Sequence, residues 1–242
     1  MLQARMPEMD QAPQRVSPAG DVSNLVILMR FKNHKERALP TAEQFDIIFN
    51  KVGGDSVLAP TGSVFDVYNE NSYAKLRLRS KIVGWVDLPK TEQEYAAGNS
   101  GLGVNIHEAI IDSLKAVVAG NLANFADFDN EGGGAGDGRI DAITFVHSGY
   151  AAEFGGVDAD GTDLDNRIWS HRWAIPDWSG NPAGVKVSDY NINPGLWSTS
   201  GKEPGRIGVI CHELGHFFGL PDLYDYSGAG EGAGSWCLIA NS

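Results

Sequence analysis

The sequence predicts a loop-rich α/β domain, and three observations carry that expectation. Two strong helical patterns, Ile106 to Val118 and about Pro204 or Gly205 to Phe218, alternate along the chain with short runs suited to strands. Thirty glycines imply many turns, which a helical bundle does not need. At 242 residues and 42% hydrophobic composition, the chain is long enough to bury one sizeable core.

In chain order, residues 1–20 are polar and Pro-containing, and are expected to be a disordered lead-in. Leu25 to Met29 is an apolar run suited to a buried strand. Thr41-Ala42-Glu43-Gln44 has capping-box form and opens a helix through Val52, with Phe45, Ile48 and Phe49 on one face. A short helix is expected over Ser63 to Asn69. Lys75 to Val86 alternates apolar and polar residues, as a long half-exposed strand does. Ile106, Ile110, Leu114, Val117 and Val118 share one helix face. An acidic, Gly-rich loop runs from Asp127 to Asp141. Ile140–His147, Arg167–Trp173 and Val185–Ile192 read as strands, and the last helix stops at Gly219. There is no internal repeat.

Charge narrows the partners. With 31 acidic against 19 basic residues the formal charge is −12, which argues against nucleic acid, since phosphate binding needs clustered Lys and Arg. The longest basic cluster, Arg77-Leu78-Arg79-Ser80-Lys81, alternates with apolar residues and reads as the wet face of a strand. Excess carboxylate suits bound Ca²⁺ and equally suits plain solubility. No run approaches the roughly 18 apolar residues of a membrane span. The first nineteen residues lack the apolar core of a signal peptide, so export information lies outside this chain or the protein is intracellular. Two cysteines, Cys211 and Cys237, settle no compartment by count.

The decisive segment is Ile210-Cys211-His212-Glu213-Leu214-Gly215-His216-Phe217-Phe218-Gly219-Leu220-Pro221-Asp222. Residues four apart lie on one helix face, so His212 and His216 can reach one Zn²⁺. Glu213, beside the first histidine, can meet the water there without being a ligand. Gly219 ends the helix in a conformation cheap only for glycine, and the turn brings Asp222 back as a third ligand. A fourth position stays open for water, as in catalytic rather than structural zinc sites. Chance places a His-Glu-x-x-His in such a chain on the order of one time in a hundred. A surface helix with two histidines is the bland alternative, and the flanking Val209, Ile210, Leu214, Phe217 and Phe218 speak against it.

From His212 through Asp225 the segment resembles the immune-inhibitor-A-like family of secreted zinc peptidases, relatives of the metzincins. The likeness extends to Asn69–Leu78 (NENSYAKLRL), Gly84-Trp85-Val86, His147–Gly155 (HSGYAAEFG), Ile168–Trp173 (IWSHRW) and Gly234–Leu238 (GSWCL), covering roughly residues 22–242. It implies a two-lobed zincin of α/β (α+β) class, with a twisted mixed sheet, backing helices and the active-site helix at the cleft. Residues 21–242 would be the catalytic domain, with an upper lobe of about 21–219 and a lower lobe of about 220–242. The family's lower lobe continues further, so this one is expected to be incomplete. The resemblance further implies zinc on His212, His216 and Asp222, Glu213 as general base, protein or peptide substrates and an extracellular location. Asp225 and Glu231 are alternative third ligands. Ile239 stands where metzincin-like enzymes place a methionine beneath the metal.

Other constellations keep two readings each. Asp129, Glu131, Asp137, Arg139 (through its carbonyl) and Asp141 fit a calcium loop if Gly132 to Gly136 is an insertion; a flexible surface loop is the alternative. Asp158, Asp160, Asp163 and Asp165 are read first as a solvated loop and second as a chelating one. His147 and His171 are expected as core or rim histidines. By analogy with the family's fold, Cys211 and Cys237 approach each other and form a disulfide, with two free thiols as the alternative. For function, a zinc-dependent endopeptidase leads, and a catalytically weak zincin-fold binding or adhesion domain is second. Cleavage preference and oligomeric state are not readable.

Overall fold

The computed structural model describes residues 19–130, 136–225, 230 and 232–240. Five strands form one sheet: β1 (Gly20–Arg30), β2 (Leu76–Asp87), β3 (Ala142–Tyr150), β4 (His171–Trp178) and β5 (Val187–Leu196), in the order β2-β1-β3-β5-β4. All neighbours are parallel except β4, which pairs antiparallel with β5 at the edge. Five helices cover the sheet: α1 (Ala42–Asn50), α2 (Val64–Asn71), α3 (Glu92–Ala96), α4 (Asn105–Ala119) and α5 (Ile207–Phe217). The mixed α/β class expected from the sequence is the one observed.

Alternation along the central strands divides the core in two. Leu25, Ile27 and Met29 of β1 join Ile143 and Phe145 of β3 in the cluster that holds α3 and α4. Val26 and Leu28, with Ala142 and Val146, join the cluster that holds α1, α2 and α5. Successive side chains of a strand point to opposite faces, so both faces of β1 and β3 are apolar because both are covered. β2, at the opposite edge, keeps alternating buried and exposed positions, as its sequence pattern requires.

A hydrogen-bonded row of polar side chains crosses this core. Asn24 Nδ2 donates to Ser80 Oγ at 3.1 Å, and Thr144 Oγ1 to Asn24 Oδ1 at 3.2 Å. Asn191 Nδ2 donates to Thr144 Oγ1 at 3.2 Å, and Asn193 Nδ2 to Asn191 Oδ1 at 2.9 Å. Buried polar groups are costly unless paired, so a one-residue slip between strands would strand several of them. The row ties four strands to one register.

Helix starts follow their caps. Thr41 and Gln44 form the expected capping box, and Ser63–Asp66 and Thr91–Glu94 form two more. The last opens α3, a five-residue helix too short to show periodicity in sequence. β1 begins at Gly20, and residues 1–18 of the expected lead-in lie outside the described residues. The strand expected over Arg167–Trp173 is corrected to His171–Trp178. Its first residues are drawn into a loop because Arg167 is fully buried and donates through Nη2 to the carbonyls of Gly155 (2.6 Å) and Gly156 (3.0 Å).

Phe145 is fully buried and meets Tyr190 edge to face at 6.1 Å between ring centroids. Phe145→Ala should cost about 3–5 kcal/mol through lost burial and the cavity left behind. Thr41→Ala should cost only ~1 kcal/mol, the worth of one cap. Urea midpoints of the two variants against the parent protein test that ranking.

Candidate metal centre

α5 is amphipathic in an unusual sense: one face is apolar and the other carries two histidines. Ile210, Cys211, Leu214, Phe217 and the following Phe218 fill the cluster under the sheet. Tyr68 of α2 pins the helix, its hydroxyl donating to the Cys211 carbonyl at 2.6 Å and its ring meeting Phe218 edge-on at 5.2 Å. The opposite face then presents His212 and His216, one turn apart. Gly219, with φ of 82°, reverses the chain after the helix, a backbone state that side chains disfavour. Asp222 thereby returns to both histidines.

The three side chains converge closely. His212 Nε2 and His216 Nε2 are 3.1 Å apart, and Asp222 Oδ1 lies 3.1 Å from the first and 3.2 Å from the second. Among the described residues this is the one group of three or more His, Cys, Asp or Glu able to share an ion. Asp225 is not part of it, and Glu231 lies outside the described residues.

Hydrogen bonding decides what this triangle is for. His212 Nδ1 donates to the Leu238 carbonyl at 2.9 Å, and His216 Nδ1 to the Leu220 carbonyl at 2.8 Å. A carbonyl only accepts, so each Nδ1 carries a ring hydrogen, and each ring when neutral turns an Nε2 lone pair inward. Two lone pairs and a carboxylate oxygen at mutual contact repel one another unless a cation sits between them. Tetrahedral zinc with bonds of about 2.0–2.1 Å sets its ligands about 3.3 Å apart, close to the triangle observed. Burial disfavours protonation of His212, but Asp222, Glu213 and the Leu238 carbonyl outweigh it and raise its pKa. All three side chains remain partly accessible.

Glu213 is 6% exposed and follows His212 on the helix. Burial pushes its carboxyl up to about 8, against the pull of His212 and of the Arg172 amide directed at it from β4; Glu153 and Asp222 push the same way as burial. Glu153 is itself fixed by Ser170, which donates to it through Oγ at 2.5 Å and through its amide at 3.2 Å. These flanking contacts and the two orienting carbonyls have no signature in the sequence, since any residue supplies a carbonyl or an amide.

Beneath the helix lies Ile239, 5% exposed, with Cδ1 only 2.4 Å from where a Cβ on Gly215 would stand. Its carbonyl accepts from the Leu223 amide at 2.7 Å, tying the segment to the turn that carries Asp222. Cys211 and Cys237 stand as free thiols: Cys211 is buried in the apolar cluster, and Cys237 is only partly buried.

The acidic loops are held by their own backbone. Asp129 accepts from the Gly138 amide (3.1 Å), Asp137 from the Arg139 amide (2.9 Å) and Asp141 from the Asn130 amide (3.1 Å), while the Arg139 side chain pairs with Asp177. Among the described residues these carboxylates form no ion-sharing group, and Glu131 lies outside them. Asp158 accepts from the amides of Asp160 and Thr162, Asp160 pairs with Arg37, and Asp163 caps the turn at Asn166. His147 and His171 are fully buried core residues.

Comparison with known proteins adds the family. Residues 43–242 match the family described as immune inhibitor A peptidase M6, catalytic domain. The chain is 32% identical over 202 residues to immune inhibitor A of Bacillus thuringiensis subsp. alesti, covering 72% of this chain and 27% of that protein. It is 27% identical over 224 residues to the pre-pro-metalloprotease PrtV of Vibrio cholerae serotype O1 (strain M66-2), covering 81% of this chain and 23% of that one. The chain thus spans about a quarter of the length of the curated relatives it matches.

If the triangle holds a cation, Asp222→Ala should weaken zinc binding by at least ~100-fold, more than loss of an orienting contact does. Metal content after equilibrium dialysis checks this, with Asp225→Ala expected to keep its metal.

Proposed function

The chain belongs to the immune inhibitor A peptidase M6 family, and on that premise we propose that it is a zinc-dependent endopeptidase acting on protein substrates, with zinc held by His212, His216 and Asp222. The observation that carries this proposal is the triangle of inward lone pairs, 3.1–3.2 Å on each side, whose ring hydrogens are already committed to carbonyls. A bound cation relieves that arrangement, and two imidazoles with one carboxylate is a donor set that suits zinc and leaves a position open. The chemistry supplied there when zinc is bound is Lewis acidity, towards water and towards a scissile carbonyl.

Glu213 does the proton work. Its carboxylate neighbours the metal histidines without belonging to the triangle, and its burial gives it a high proton affinity. It takes a proton from the attacking water on a carboxylate oxygen and delivers it to the leaving amine nitrogen, so one group serves as base and then as acid. β4 supports an extended peptide as substrate. It is the last strand of the sheet, so among the described residues one of its edges has no strand partner, and α5 packs beside it. Unpaired strand edges accept further extended chains through main-chain hydrogen bonds.

An extracellular setting is supported by the Vibrio relative, whose name is that of a pre-pro-metalloprotease. A catalytically weak binding or adhesion domain that keeps the scaffold is the second reading, and it would rest on Ile239, packed against Gly215, standing where metzincin-like enzymes place a methionine.

Glu213→Gln should lower cleavage of casein by about 10²–10⁴-fold while one zinc per chain is retained. Unchanged cleavage in that variant, at unchanged metal content, would remove Glu213 from the mechanism.

A further inference from the structure

Away from the metal, a second group of polar side chains is buried with no role so far. Its centre is Glu92, in the first turn of α3, with no exposed surface and more deeply buried than any other acid among the described residues. No side chain reaches either carboxyl oxygen with a hydrogen bond of normal length; the one donor directed at it is the Ile168 amide. The nearest polar side-chain atoms are His34 Nε2 at 3.5 Å and His147 Nδ1 at 3.9 Å. His34 is pushed down to about 3, mainly by burial, and His147 well below its ordinary value for the same reason. His147 Nδ1 accepts from the Gly149 amide at 3.2 Å, so it turns a lone pair, not a hydrogen, towards Glu92.

The charges around Glu92 come from two directions. Arg37, beyond β1, is paired with Asp160; Arg167 and Asp158, from the loop before β4, face it from the other side. The side of α3 that packs on α4 is apolar, with Tyr95 and Ala96 in one cluster with Ile106 and Ile110. An ionised Glu92 would be a fully buried anion helped by the Ile168 amide, Arg37 and Arg167 but with no side-chain donor at hydrogen-bonding distance, which is costly, whereas the neutral acid is tolerated. Burial pushes its carboxyl up to about 8.

The place of Glu92 gives this a consequence. A Cβ on Gly149 would lie 2.1 Å from Glu92 Oε1, so the end of β3 is pressed against the acid. The turn after α3 clamps the loop before β4: Ser100 donates its amide to the Asp165 carbonyl and accepts from the Trp169 amide, both at 2.9 Å. That loop returns through Ser170, which holds Glu153, to Arg172, whose amide faces Glu213.

We propose that Glu92, as the neutral acid, is a positioning residue: it seats the segment from Gly149 to Arg172 against α3 and so aligns the flank of Glu213, and its ionisation loosens that flank. The role in catalysis rests on the peptidase reading; the loosening itself does not. A group whose proton affinity is raised on folding contributes stability that is complete below its ordinary pKa and is lost as pH climbs through the folded value. The flank should therefore open as pH rises through about 8.

The test follows amide hydrogen exchange of peptides spanning 149–172, corrected for intrinsic base catalysis, from pH 6 to 10 in the zinc-loaded protein and in its Glu92→Gln variant. Gln keeps the size and neutrality of the acid. Expected are an exchange increase of at least ~10-fold across pH 7 to 9 in the parent, its absence in Glu92→Gln, and a matching fall of kcat, with KM little changed, only in the parent. An identical alkaline rise in both proteins would overturn the proposal. Should Glu92→Gln fail to fold, carboxyl ¹³C titration of Glu92 in the parent decides, since ionisation already complete at pH 6 would also overturn it. If the protein cleaves no substrate, the exchange result still stands or falls by itself.

Discussion

The central strands are buried on both faces, and this constraint organises the rest of the molecule. β3 and β5 have no exposed residue and β1 has very little, so apolar side chains must leave the sheet on both sides and helices must cover both. Covering one face takes α3 and α4, and covering the other takes α1, α2 and α5. α5 is held by its apolar stripe as firmly as any structural helix, which frees its opposite face for polar work. The two histidines are therefore held by what lies behind them, namely Ile210, Leu214 and Phe217 in the core.

Rigidity in the helix would be wasted if the rings could rotate. The Leu238 and Leu220 carbonyls remove that freedom by taking the Nδ1 hydrogens, and both belong to chain beyond the helix. The same stretch brings Asp222 home. A short, poorly ornamented segment after Gly219 thus supplies the carboxylate of the triangle and the orientation of the two rings. Glu213 beside them is framed from the opposite direction, by the edge strand and the loop leading into it.

Legibility followed how local each signal is. Thr41–Gln44, the register of Ile106 to Val117 and the spacing of His212, His216, Gly219 and Asp222 are set within one or two turns of chain, and all appear in the structure as the pattern predicts. The start of β4 was misjudged because Arg167 is captured by carbonyls at 155 and 156, a tertiary event that strand propensity cannot register. α3 escaped because five residues hold less than two turns. Glu92 looks in sequence like any solvated helix-opening acid; only the convergence of β1, β3 and the loop before β4 takes it out of water. The carbonyls that orient the histidines belong to leucines, whose side chains say nothing of them.

Gly215 and Ile239 meet so closely that they amount to a single slot divided between two positions. Any side chain at 215 would strike the Ile239 δ-methyl at 2.4 Å, inside the turn whose ends are His212 and His216. Variation at the two positions is then coupled: a larger residue at 215 requires the Ile239 δ-methyl to move aside or be absent. A library that randomises the two sites together should yield viable pairs that neither single-site scan contains.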